Sequence, residues 1–119
     1  MGQHKTKTIH LEQINVDEPM VPLIKWLNKF DSIHTLFCCQ GDKTQNPYVS
    51  FQCRDLNTMI YILQLDDIYS IGTIKIRFFQ GSLEYNWELS DTESRDKVIK
   101  WVTQQPVISI QDRLVTRYL

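Results

Sequence analysis

The sequence predicts an α+β domain in which elements follow the order β-α-β-β-α-β before a further strand and helix. Three observations carry this. Apolar and polar residues alternate with period two in residues 71–79 and again in 83–89, the signature of half-buried strands. Apolar residues recur at helical spacing after Asp17-Glu18-Pro19 and after Asp55. With 119 residues, 42% of them hydrophobic, the chain is long enough to bury one core without metal or disulfide support. No repeat, linker or low-complexity segment divides it, so residues 1–119 read as one domain.

Residues 6–14 read as a first strand, with Ile9 and Leu11 on one face and Thr8, His10 and Glu12 on the other. Asp17-Glu18-Pro19 is a helix start, since acids suit the N-terminal dipole and proline is tolerated in the first turn. Met20, Leu23, Ile24, Leu27 and Phe30 then supply an inward face. Ile33–Cys39 and residues 47–53 are β-type runs on either side of a polar loop, 40–46. Asp55 can cap a second helix with Leu56, Met59, Ile60 and Leu63 inward, ended by Asp66-Asp67.

The next hairpin is specified by its turn. Gly81-Ser82 suits a two-residue type II′ turn, which sets Ile76 opposite Trp87, Phe78 opposite Tyr85 and Lys75 opposite Glu88. Ser90 and Glu93 make a capping box for a third helix carrying Val98, Trp101 and Val102 inward, stopped by Pro106. Residues 107–119 fit a strand at 107–110 or a closing helix through Ile110, Leu114 and Tyr118. The first six elements match the ferredoxin-like split β-α-β arrangement. Two helices would cover one sheet face, the fifth strand would extend the edge beside the fourth, and the third helix would cover part of the second face.

A formal net charge of −1 predicts no general attraction to nucleic acid or anionic membrane. No apolar run approaches the ~20 residues that span a bilayer, and the N-terminus has no signal-peptide core, so a cytoplasmic protein is expected. Met1-Gly2-Gln3-His4-Lys5-Thr6 fits the loose N-myristoylation pattern. Three cysteines, an odd number, agree with a reducing compartment. In a simple hairpin Cys39 faces Pro47 and Cys53 faces Ile33. Cys53 is then about 20 Å from the Cys38–Cys39 end at ~3.3 Å per residue, too far for a bridge or a shared metal.

Function points to the 33–53 hairpin. Its parity puts Ile33, Thr35, Phe37, Val49, Phe51 and Cys53 toward the helices, and His34, Leu36, Cys38, Tyr48, Ser50 and Gln52 on the other face. RNA-recognition domains stack bases on such an open face, and Tyr48-Val49-Ser50-Phe51 matches the tail of their aromatic motif. The residues before it, Lys43-Thr44-Gln45-Asn46-Pro47, do not. A thiolate nucleophile at Cys38 or Cys39 needs a base, and His34 is ~13–17 Å back along the strand. His10 belongs to a strand that would not neighbour it. Asp66-Asp67 reads as a helix-end turn, Glu84 and Glu88 as partners of Lys75 and Arg77, and the histidines lack ligand spacing. No metal or cofactor is expected.

The strand ending Leu36-Phe37-Cys38-Cys39-Gln40-Gly41 resembles one in the tRNA wybutosine-synthesis methyltransferase family, which ends Ser-Ser-Cys-Ser-Gly-Arg. Cys39 and Gly41 match, Cys38 and Gln40 replace serines, and Asp42 replaces the arginine. The resemblance covers roughly a quarter of the chain and implies a tRNA-modifying enzyme with a bound methyl donor. Strand, Cys-x-Gly, polar loop and Pro-Tyr-Val-x-Phe together also resemble small uncharacterised proteins of bacteria and their phages. That resemblance implies an accessory protein that sequesters or blocks a host partner.

The leading expectation is therefore a non-enzymatic binding protein working through the 40–46 loop and adjacent strand ends. Its candidate contacts are Cys39, Gln40, Gly41, Asp42, Asn46, Tyr48, Arg54 and Arg77. The alternatives are a nucleotide or single-stranded RNA binder using Tyr48, Lys75, Arg77 and Phe79, and the methyltransferase-like enzyme. Ile33–Cys39 has no lysine or proline to blunt it as an edge strand, which makes a homodimer through that edge a further expectation.

Overall fold

The computed structural model describes residues 6–9 and 14–107 and shows an α+β fold, a four-stranded antiparallel sheet with three helices. Its elements are β1 (Thr6–Ile9), β2 (Ile14–Asp17), a single 3-10 turn (Glu18–Met20), α1 (Val21–Asn28), β3 (Ile33–Cys39), β4 (Tyr48–Cys53), α2 (Leu56–Tyr69), β5 (Gly72–Phe79), β6 (Ser82–Leu89) and α3 (Arg95–Val102). The expected closing helix in 107–119, His4, His10 and the Met1-Gly2 pattern lie outside the described residues.

The strand order corrects the ferredoxin-like expectation. That arrangement would insert the first strand between residues 47–53 and 71–79. Instead, among the described residues, β1 pairs only with β2 in a separate two-stranded ribbon, and the main sheet runs β3-β4-β6-β5. The place reserved for the first strand is taken by β6, which pairs β4 through Val49↔Trp87 and Phe51↔Tyr85. Trp87 explains the preference. Its side chain is fully buried there, and its indole N–H donates to Asp66 Oδ1 at 2.8 Å. Asp66 thus serves the core rather than a turn, and α2 runs on to Tyr69, where Ser70 at φ 51° closes it.

All three helices contribute to one core on one side of the sheet: Leu23, Ile24, Trp26 and Leu27 of α1, Met59, Ile62 and Leu65 of α2, and Ile99 and Val102 of α3. The five apolar residues expected inward around α1, Met20 through Phe30, are all buried. In α2 the buried face is rotated from the expected one. Thr58, Met59, Ile62 and Leu65 point in, while Leu56, Ile60 and Leu63 stay exposed. The cause is at the cap, where Asp55 accepts from the Asn57 and Thr58 N–H groups and from Thr58 Oγ1 at 2.7 Å. Thr58 in turn accepts from the buried Ser32 hydroxyl at 3.2 Å, which turns its side of the helix downward.

α3 starts at Arg95, later than the Ser90/Glu93 box predicts. Ser90 Oγ instead donates to the Ile71 carbonyl at 2.9 Å, and Asp91 Oδ1 accepts from the Ser94 N–H and hydroxyl. The chain after α3 is latched to the helical layer by Trp26 Nε1, which donates to the Gln105 carbonyl, and by the Tyr61 hydroxyl, which donates to that of Pro106. With α3 on this side, the second sheet face is left uncovered by helix among the described residues.

The β5–β6 register departs from the expected one throughout, whereas β3–β4 keeps the expected pairing of Ile33 with Cys53 and departs only beyond Thr35. In β5–β6 the turn is Gln80-Gly81, with φ 51° and 79°, a type I′ turn. Ile74 therefore faces Trp87, Ile76 faces Tyr85, and Arg77 faces Glu84. The slip is two residues, an even number, so each side chain keeps its expected face. In β3–β4, Thr35 pairs Phe51 but Phe37 pairs Ser50, which leaves Leu36 as an extra residue. This one-residue bulge reverses the parity of everything after it.

Candidate binding surface

The bulge builds the most distinctive feature of the uncovered face. It turns Phe37, expected among the helices, outward beside Tyr48. Phe37 is 48% exposed, and the two rings meet edge to face with centroids 6.2 Å apart. It turns Cys38 inward in exchange, opposite buried Val49. Burial pushes the Cys38 thiol up to about 11, against a smaller downward pull from a backbone hydrogen bond at Asp17. The thiol is protonated at neutral pH and makes a poor nucleophile. Cys53 is held by the Asp55 carbonyl at 3.2 Å, and all three cysteines are free thiols.

Phe37 and Tyr48 line one end of a shallow cleft of about 340 Å³. Its floor is Ser50, whose hydroxyl accepts from Asn86 Nδ2 at 2.8 Å. Its far wall carries Lys75 and Arg77 of β5 with Glu84 and Glu88 of β6. Arg77 Nη2 donates to Glu84 Oε1 at 3.0 Å. Two cations and two carboxylates balance, so the cleft offers no net field for a phosphate backbone. Burial of the Tyr48 hydroxyl raises its pKa, assisted by the neighbouring Cys39, Cys38 and Asp17, and keeps it a neutral donor.

The 40–46 loop is less available than its polarity suggests. Asp42 Oδ1 accepts from the Thr44 N–H, the Thr44 hydroxyl and the Gln45 N–H. The Thr92 hydroxyl donates to the Asp42 carbonyl, Arg95 Nη1 donates to that of Gln40, and the Gln40 N–H donates to Asp17 Oδ2. Gly41 is buried at φ 80°, where a Cβ would sit 2.7 Å from both Pro47 N and Thr92 Oγ1. The loop is a strut between β3, β4 and α3. A second cleft of about 520 Å³ lies beside it, lined by Asp42, Asn46, Asp91 and Glu93 among others. Hydrogen bonds from Ser94 hold Asp91 below the usual carboxylate range.

The expected contacts therefore separate. Tyr48 and Arg77 meet on the open face, where Cys39 is the cross-strand partner of Tyr48. Gln40, Gly41 and Asp42 serve the strut, and Asn46 lies on the second cleft. Arg54 is at the opposite end of β4, donating to the Asp31 carbonyl at 3.1 Å. Phe37, Gln45, Asn86 and Glu88 join the cleft without having been singled out as contacts from sequence. The only trace of Phe37's position was the unbroken run Leu36–Cys39, which does not alternate. Among the described residues no three His, Cys, Asp or Glu side chains form a metal-binding group, and no helix is long and apolar enough to cross a membrane.

Comparison of the chain with protein-family profiles, with curated proteins and with solved structures finds no match.

Proposed function

We propose that this is a non-enzymatic binding protein that engages a partner protein through the uncovered sheet face between Phe37 and Arg77. The observation that supports this is the exposed Phe37 ring, held out by a bulge against half-buried Tyr48 at a cleft whose charges cancel. Aromatic residues and arginine, dried at the centre of a patch, supply most of the energy of protein interfaces. Sequestration or blocking of a host partner, as by a phage accessory protein, is the stoichiometric mode this reading assigns. The test is a photo-crosslinking amino acid placed at Gln45, on the cleft, and separately at Lys97, exposed on α3. Capture of one defined species from Gln45 but not Lys97, lost in Phe37→Ala/Tyr48→Ala, is expected. Capture that survives the double change would overturn the proposal.

A second reading, a nucleotide or short single-stranded RNA on the same face, is favoured by the aromatic pair lying in one cleft with Lys75 and Arg77. It expects binding to a mixed oligonucleotide pool that falls with salt and with Tyr48→Ala. Binding indifferent to both, or none, would remove it.

A further inference from the structure

We infer that the outer edge of β5 is a docking site for an extended peptide segment in which acidic and apolar residues alternate. β5 is the last strand of the main sheet, so one side of its backbone has no strand neighbour among the described residues. The tight Gln80-Gly81 turn closes on a hydrogen-bonded pair, Phe79↔Ser82, and hydrogen-bonded and open pairs then alternate. Arg77, Lys75 and Thr73 therefore bond β6, and the N–H and C=O groups of Ile74, Ile76 and Phe78 point to the outer edge. An incoming strand would bond these three residues.

Side-chain chemistry fixes what that strand must carry. On the helix side Ile76 and Phe78 are 61% and 70% exposed, and α2, which packs over β5, bears its exposed Leu56, Ile60 and Leu63 at i, i+4 and i+7. Apolar side chains of an added strand would cover these. On the opposite side stand Lys75 and Arg77, and β6 shows what suits them: Glu84 pairs Arg77 at 3.0 Å from a strand reading Leu83-Glu84-Tyr85-Asn86-Trp87-Glu88-Leu89. The external strand would repeat this pattern. A second copy of β5 does not fit, because antiparallel self-pairing sets Lys75 and Arg77 against the same cations of the copy. A lysine at an edge discourages such self-pairing.

The probe is a nine-residue peptide alternating glutamate with isoleucine or valine, titrated into the full chain and followed by amide NMR. Saturable binding is expected, with hydrogen-exchange protection gained at Ile74, Ile76 and Phe78. Lys75→Glu/Arg77→Glu should weaken it at least tenfold and restore binding to the lysine-for-glutamate peptide. Ile76→Pro, which removes an outward N–H together with the exposed Ile76 side chain but no bond to β6, should abolish binding while the β5–β6 cross-strand signals persist. Absence of binding at millimolar peptide, or indifference to both variants, would overturn the inference. So would protection of these amides before peptide is added, which would mean the chain's own remaining residues or a second copy already hold the edge. Because Phe37 and Tyr48 are not involved, Phe37→Ala/Tyr48→Ala should leave peptide binding intact, which separates this site from the open-face reading.

Discussion

The two hairpins of the main sheet solve the same problem in opposite ways. β3–β4 is joined by a long polar loop whose backbone is tied to α3 and β2, and its strands carry a bulge. β5–β6 is joined by two residues, and its far end carries Ile76, Phe78 and Leu83 in solvent. The hairpin that looks adaptable in sequence is the braced one, and the hairpin that looks regular offers uncovered apolar surface. Polarity of a loop therefore says little about its availability until its hydrogen bonds have been followed to their partners.

Paired substitutions can break this contrast. Phe51→Ala, in the middle of the braced hairpin, should cost about 3–5 kcal/mol, whereas Phe78→Ala should change stability by less than about 0.5 kcal/mol. Urea midpoints at constant m-value measure both, and similar losses would erase the distinction. Glycines at the two connections give the next largest difference. Gly41→Ala combines positive φ with contacts at 2.7 Å and should lose about 3 kcal/mol. Gly81→Ala meets nothing within 4 Å and should lose only its conformational share, about 1 kcal/mol.

The smallest effect concerns Cys38, on the inner side of the braced hairpin. Its folded pKa, about 11, lies above the ordinary 9.0, so its contribution to stability is complete below pH 9 and is lost as pH rises through 11. In a Cys39→Ser/Cys53→Ser background, iodoacetamide alkylation of the folded protein should keep accelerating up to about pH 11. The urea-unfolded chain should level off near pH 9. Equal rates at pH 8 would show that this hairpin is as open as the other.

What the sequence disclosed follows from which forces are local. The inward face around α1 and the Asp55 cap were legible because helical period and side-chain capping act within a turn or two. The strands of β5 and β6 were legible by alternation, and their faces survived a wrong turn because the slip was even. The place of β6 in the sheet was not legible, since it depends on Trp87 meeting Asp66 across 21 residues. The rotation of α2 depends likewise on Ser32 meeting Thr58 across 26. Of the candidate surface, Tyr48, Lys75 and Arg77 were within reach of pattern reading, while Phe37 required a bulge that leaves no fixed residue signature.

That bulge sets how the strand responds to a change in length. A single-codon deletion of Leu36 would remove the extra residue and leave Thr35 opposite Phe51, Phe37 opposite Ser50 and Cys38 opposite Val49. Regular alternation would then hold Phe37 outward and Cys38 inward, the faces they already occupy. The ladder thus carries one spare codon, and its loss would change neither ring of the aromatic pair nor the face on which they meet.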